Sequence, residues 1–344
     1  IAGGHGWRLC EQALEDGGPG EVFAAAILAL HGDGHVGAER LQRVLTAGAG
    51  APELARGVAA ALGWTAWPRA EQAARALLED ARPEVRRLAL AAFAAHRQHP
   101  GDSLDAALDD GDPRVRARAA RASGEIARPD LHPRLRRAFA DPDAAVRFWA
   151  AWSAARLGDR SAGALDTLRE AAGGDGPHAG PAREVLLRIE RLPDARSRWE
   201  SWAGDPARDK RVAAQAAGII GDPALIAELL EWMADPDAAR AAGGAFTLIT
   251  GTDLALVGLD RDAPELRPES TEEDDDAPPD PDAHLPWPDP EKVRTWWAEH
   301  RGEFRDGVRH LRGREISEET ANWTLLEGMQ RQRAAAALEL ALLR

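Results

Sequence analysis

The residues able to do chemistry are few and widely spaced. His96-x-x-His99 and His31-x-x-x-His35 have metal-ligand spacing, since side chains three or four apart on a helix share a face. Neither pair has a third Cys or His nearby, and both fall where helices should end or turn, so exposed turn histidines are expected and no metal site is assigned. His5 and the single cysteine, Cys10, lie five residues apart, which on a helix points them in different directions and denies a nucleophile–base pair. No Gly-x-Ser-x-Gly, phosphate-cradling glycine loop or dinucleotide fingerprint occurs. No catalytic residue and no cofactor is therefore expected.

Two other groupings carry more information. Arg86, Arg116 and Arg147 recur one period apart and must form a ladder along one face. They could track an anion, but Asp80, Asp110 and Asp141 recur with them, so pairing that ties neighbouring repeats together is the expectation. Tryptophan is abundant, twelve residues against six Phe and no Tyr. Trp149 and Trp152 share a helix face, as do Trp199 and Trp202, whereas Trp296 and Trp297 point apart. Most should be core anchors. Any that are exposed would make binding hot spots beside arginine, so Arg118, Trp149, Trp152, Trp199, Trp202, Trp296 and Trp297 are the candidate partner-binding residues.

The elements that position these residues are helices. Alanine and leucine dominate the apolar fraction, and both favour helix over strand. Val-Arg pairs at 85/86, 115/116 and 146/147 stand 30 and 31 residues apart, the length of two short antiparallel helices with their turns. Asp112-Pro113, Asp141-Pro142, Asp205-Pro206, Asp222-Pro223 and Asp235-Pro236 each put an N-cap acceptor before a proline suited to the first helical position. Gly158 and Gly221 mark helix ends. Helix pairs are predicted near 5–31, 36–62, 67–97, 100–127, 130–157, 160–191, 193–219 and 222–250.

The pattern Asp-x-x-Pro-x-Val-Arg-x-x-Ala, complete at Asp80–Ala89 and Asp110–Ala119, resembles the HEAT repeat and its phycobilisome-lyase-type relatives. With Phe148–Ser153, Phe246–Gly251, Leu285–Pro290, Trp296-Trp297 and Gln330–Leu340, the whole chain resembles a bacterial HEAT-repeat family without an assigned activity, whose members turn up beside type VI secretion genes. The expected fold is all-α: a right-handed α-solenoid of HEAT-type helix pairs over 1–251, an acidic, proline-rich linker over 252–288, and a small helical C-terminal region over 289–344.

Charge is concentrated in the linker. Residues 253–291 hold 14 acidic and 2 basic side chains, a local −12 of the formal −14, which leaves the rest close to neutral at about −2. Glu272–Asp276 followed by repeated prolines predicts an extended or disordered stretch over 260–285, read as a solvated linker, with an acidic arm for a basic partner or a nucleic-acid mimic as the alternative. Asp289-Pro290 should open a helix to Phe304, and Ser317 should cap a last helix whose apolar tail, Ala334–Leu343, packs on the array or on another copy.

These readings point to a non-enzymatic protein-binding scaffold. Its concave face would come from the second helices, around Val85–Ala94, Val115–Ala122 and Val146–Ala155. The resemblance implies an adaptor, accessory or immunity factor for a secreted effector or a secretion-system component. The other class is an enzyme on a HEAT scaffold, an alkylpurine-type DNA glycosylase or a bilin lyase. The neutral body disfavours DNA, and the lyase rests on fold analogy. One cysteine, no run long enough to span a bilayer and no basic leader make a soluble cytoplasmic protein the expectation, although Ile1 leaves the native start open.

Overall fold

A computed structural model describes residues 3–15, 17–264 and 280–343. The chain forms two compact units, Ile1–Gly173 and Gly174–Arg344. The first is α1 (Gly3–Ala13), α2 (Pro19–Leu30), α3 (Gly34–Gly48), α4 (Pro52–Trp64), α5 (Trp67–Leu78), α6 (Pro83–Ala95), α7 (Asp102–Ala107), α8 (Pro113–Ile126), α9 (His132–Ala138), α10 (Ala144–Arg156) and α11 (Ala162–Gly173). The second has α12 (Ala179–Ile189), α13 (Leu192–Ala203), α14 (Lys210–Ile220), α15 (Ile226–Trp232), α16 (Ala239–Thr250), α17 (Pro290–His300), α18 (Glu318–Glu327) and α19 (Gln330–Leu342). Seven predicted pairs lie whole in one unit. The sixth is divided, α11 closing the first unit and α12 opening the second.

Local chemistry explains the starts. Asp112 accepts from the Arg114 amide with Pro113 at the first helical position of α8, and Asp289 caps α17 in the same way. Asp222 with Pro223 opens a short 3-10 turn that leads into α15. The other three Asp-Pro pairs sit ahead of their helices. Asp143, not Asp141, caps α10, and Asp209, not Asp205, caps α14; Asp235 accepts from the Asp237 amide in a turn before α16. In each of these the aspartate folds back on an amide two residues on, which breaks the chain before the helix begins.

Burial follows the second helices. Val85, Leu88, Ala89, Ala92 and Phe93 of α6, and Val115, Ala119, Ala120 and Ala122 of α8, are closed from solvent, joined by Ala150 and Ala154 of α10. Alanine lets these helices approach closely, and each fully buried leucine between them contributes about 1.5–3 kcal/mol. Gly124 takes this furthest. A Cβ there would lie 2.5 Å from Ser153 Oγ and 2.8 Å from its Cα, while Ser153 Oγ donates to the Ala120 carbonyl at 2.7 Å. The two helices are held at glycine distance.

In the second unit, of the stretch predicted to be extended or disordered over 260–285, residues 265–279 lie outside the described residues, and the chain on either side of them makes defined contacts. Strand β1 (Asp260–Arg261) pairs antiparallel with β2 (Trp287–Pro288). Asp280 bonds Arg240 of α16, and the buried Asp282 bonds Arg211 of α14 and, at 3.4 Å, Arg331 of α19. Gly243 and Gly244 make room for the returning chain: Cβ atoms there would lie 3.4 Å from Pro288 and 3.2 Å from Leu285. The acidic run Glu272–Asp276 lies outside the described residues.

The predicted last helix is two. Ser317 caps α18 by accepting from the Thr320 amide, as its sequence implied, but the helix stops at Gly328 and α19 starts anew. Ahead of them β3 (His310–Leu311) and β4 (Arg314–Glu315) form a tight hairpin through Arg312 and Gly313, both at positive φ. The His310 amide donates to the carbonyl of Gly221, whose φ of +73° and closeness to His310 exclude a side chain. The tail packs within this unit: Glu339 of α19 takes Arg188 of α12 at 2.8 Å, and Ala335, Ala336 and Leu340 join a small core with Leu311 and Ala321. Among the described residues, no helix is long and apolar enough to cross a membrane.

Candidate functional site, an arginine–tryptophan face

The arginines of the repeats divide by helix face. On the turn side, Arg86 grips Asp110 with two bonds of 2.9 Å and also donates to the Asp80 carbonyl; Arg116 grips Asp141 at 2.9 and 3.0 Å and reaches the Asp110 carbonyl. Arg147 donates to the carbonyls of Asp141 and Pro142. Asp80 itself is held by Arg82. Burial alone would raise Asp110 and Asp141, but the guanidinium and backbone amide bonds outweigh it and hold both carboxyls below the usual range. Every member of this ladder is occupied within the protein.

On another face the same helices present arginines of a different kind. Arg118, Arg121 and Glu125 stand at i, i+3 and i+7 on α8, and Trp149, Trp152 and Arg156 repeat that spacing on α10. The close approach at Gly124 and Ser153 lays one row against the other. Arg121 lies 4.4 Å over the Trp149 ring and Arg156 4.4 Å over Trp152. The two indoles meet edge to face at 5.3 Å, with Phe148 at 4.9 Å from Trp149. Glu125 is clamped between Arg118 and Arg121, each at 2.8 Å.

Electrostatically this is one cluster. Arg118 feels Arg87 and Arg121, and Arg156 feels Arg97 and Arg121, while Glu125 is the carboxylate that both Arg118 and Arg156 share. Arg87 has Glu84 and Asp112 for its carboxylates, which it shares with Arg114. Burial weakens the basicity of Arg118 and Arg156, and partial covering by its neighbours does the same for Arg87, whose side chain as a whole stays exposed. Arg118 keeps 16% of its side-chain exposure against 45% for Arg121. Among the described residues, Arg87, Arg97 and Arg156 have no hydrogen-bond acceptor, and Nη1 of Arg118 has none. Three guanidiniums, Arg118, Arg121 and Arg156, therefore share Glu125, with Arg87 beside Arg118 and Arg97 beside Arg156. The arrangement suits an anionic, planar group that accepts hydrogen bonds.

Of the residues singled out by sequence, Arg118, Trp149 and Trp152 come together here, with Trp149 half-buried and Trp152 buried. The others stand in the second unit. Trp199 and Trp202 are buried on α13; Trp199 donates to the Ala213 carbonyl, and Arg183 and Arg208 flank Trp202. On α17, Trp296 is half-buried and stacks on His300 at 4.1 Å, while Trp297 is buried against Phe246 and Phe304. Sequence reasoning passed over Arg121, Glu125 and Arg156, although the matched i, i+3, i+7 rows were readable. It also passed over Trp64, which is 80% exposed at the end of α4.

The histidine pairs do not converge. His96 bonds the Leu62 carbonyl at 2.8 Å and packs on Trp67, His99 accepts from the Gly101 amide, His31 bonds the Ile27 carbonyl, and His35 meets Glu39. Among the described residues no group of three His, Cys, Asp or Glu side chains is placed to hold a metal ion.

No curated protein matches the chain. Residues 102–180, which carry α7 to α11 and hence the α8–α10 part of this face, match the family of HEAT repeats, and with the helix pairs described above the fold is of the all-α, HEAT-type solenoid class.

Proposed function

We propose that this chain is a non-enzymatic protein-interaction scaffold that recognises its partner through the arginine–tryptophan face of α6, α8 and α10. HEAT repeats commonly serve as such scaffolds, which agrees with the match over residues 102–180. The observation that carries the reading is the contrast between faces. Ladder arginines are each satisfied internally, whereas Arg87, Arg97 and Arg156 find no acceptor. Arg156 Nε is buried without an acceptor, and Arg87 and Arg97 are exposed with none in the chain, so this face offers guanidiniums that a ligand's acceptors can engage. Arginine and tryptophan are also the residue types that dominate binding hot spots.

In its finer form the scaffold is an adaptor, accessory or immunity factor for a secreted effector or secretion component, acting in the cytoplasm without a cofactor. The support for this is the whole-chain resemblance to a family found beside type VI secretion genes. Affinity capture from the native host, with the intact chain and with an Arg121→Glu/Arg156→Glu variant of unchanged helicity, tests both levels. A partner retained by the first and lost by the second is expected, encoded near the chain's own gene. Capture that is indifferent to the two charge reversals would remove the face from the account, and a partner unrelated to secretion would remove the finer form.

A further inference from the structure

The ligand chemistry this face demands can be stated more closely, and the statement rests on the scaffold reading. We propose that the α6–α8–α10 face binds an acidic peptide segment of its partner, with aspartate or glutamate carboxylates bridging neighbouring guanidiniums as Glu125 bridges Arg118 and Arg121.

Three observations lead there. Glu125 demonstrates the geometry: one carboxylate takes Arg118 on Oε2 and Arg121 on Oε1, both at 2.8 Å. Arg87 lies near Arg118 and Arg97 near Arg156, and none of Arg87, Arg97 and Arg156 has a hydrogen-bond acceptor in the chain, so the charge to be complemented is positive and the ligand that fits it is negative. Neighbouring helices pack about 8–10 Å apart, so the patch is about 20 Å across, which an extended chain of roughly six residues would span.

The indoles decide between a peptide and a nucleic acid. Single-stranded nucleic acid binds through bases stacked on open aromatic faces. Here Arg121 covers a face of Trp149 and Arg156 a face of Trp152, so on those faces the rings serve as flat supports that hold guanidiniums. A stacked guanidinium keeps its in-plane N–H edge for a carboxylate. Duplex DNA needs a long series of phosphate contacts. Beside this patch, ladder arginines Arg86 and Arg116 are already neutralised by Asp110 and Asp141.

The test uses the full chain and a fluorescein-labelled peptide of about ten residues alternating Glu and Gly, followed by anisotropy at low ionic strength. Expected is saturable binding that weakens by at least about tenfold in Arg121→Gln/Arg156→Gln, the loss of two charge-assisted contacts. Because Arg156 also packs on Trp152, the exposed Arg87→Glu gives a second reading that leaves the packing intact, and it too should weaken binding. Arg137→Glu, an exposed residue on α9, carries the same charge change and should have little effect. No binding of the peptide, or equal weakening by Arg137→Glu, would overturn the proposal. So would an oligonucleotide, single-stranded or duplex, that binds more tightly and displaces the peptide. A captured protein partner that depends on Arg87 and Arg121 but contains no acidic segment would sink this inference and leave the scaffold standing.

Discussion

Arg116 donates from Nε and Nη2 to the two oxygens of Asp141, at 2.9 and 3.0 Å, across 25 residues of chain. Asp141 at the same time accepts from the amide of Asp143, the residue that caps α10. One carboxylate thus joins two repeats and shapes the turn between them. Both side chains are mostly buried, at 16% and 13% exposure, so solvent screening is limited. A double-mutant cycle of Arg116→Ala and Asp141→Ala, measured by urea unfolding, should return a coupling of about 1–3 kcal/mol. Strict additivity would mean that the pair adds nothing beyond its separate contacts.

The ladder also sets an acid limit. Bonds from Arg114 and from its own cap amides hold Asp112 at about 2, against an ordinary 3.8, and Asp110 and Asp141 are lowered as well. For carboxyls whose folded value is depressed, the stabilisation is complete above the unfolded value and is lost as pH falls through the folded one. Stability of the first unit should be nearly flat down to about pH 4 and then decline toward pH 2. Asp141→Asn should make that decline shallower in a series of urea midpoints against pH. A decline as steep as in the unaltered chain would show that Asp141 plays no part.

Gly124 fixes the spacing on which the arginine–tryptophan face depends. Alanine there would gain in helix propensity by at most about 1 kcal/mol, but its Cβ would meet the Ser153 backbone at 2.8 Å. Overlap with backbone should win, and Gly124→Ala is expected to destabilise by about 1–3 kcal/mol and to shift the fluorescence of Trp149. An unchanged spectrum with improved stability would show that the helices have room to separate.

Glu339 and Arg188 make the corresponding contact in the second unit, with side chains 8% and 3% exposed. Burial raises the Glu339 carboxyl, against the pull of Arg188 and Arg309. Its pH sense is opposite to the ladder's: a raised carboxyl favours the folded state at low pH and loses that advantage as pH climbs through its folded value. Glu339→Ala would leave the buried Arg188 only Glu184, on its Nη1 side, and should cost about 1–3 kcal/mol, whereas a paired Arg188→Met/Glu339→Leu exchange should recover most of it. Thermal unfolding of the three variants separates these outcomes.

The repeat was legible because its punctuation is local. Asp112-Pro113 caps a helix by bonds within three residues, and Gly221 ends one by its own backbone, so neither needs tertiary context. Asp141-Pro142 and Asp205-Pro206 misled because the same two residues also make a turn, and the true caps, Asp143 and Asp209, stand two and four residues on. The β1–β2 pairing was hidden for the opposite reason: its partners, such as Asp260 and Pro288, are distant in the chain. The candidate face was only half visible. Arg118, Trp149 and Trp152 were readable as residue types, but Arg121 and Arg156 acquire their role from α8 and α10 meeting at Gly124, which no spacing within either helix records. Trp199 and Trp202 looked equivalent to Trp149 in sequence, and burial alone tells them apart.

The central claim is that a partner is recognised on α8 and α10, and hydrogen exchange of the full chain with and without its captured partner tests it most directly. The account predicts added protection over residues 113–126 and 144–156, with little change over α14 and α16. Protection confined to α14, α16 or the helices after Asp289, with none on α8 and α10, would contradict it.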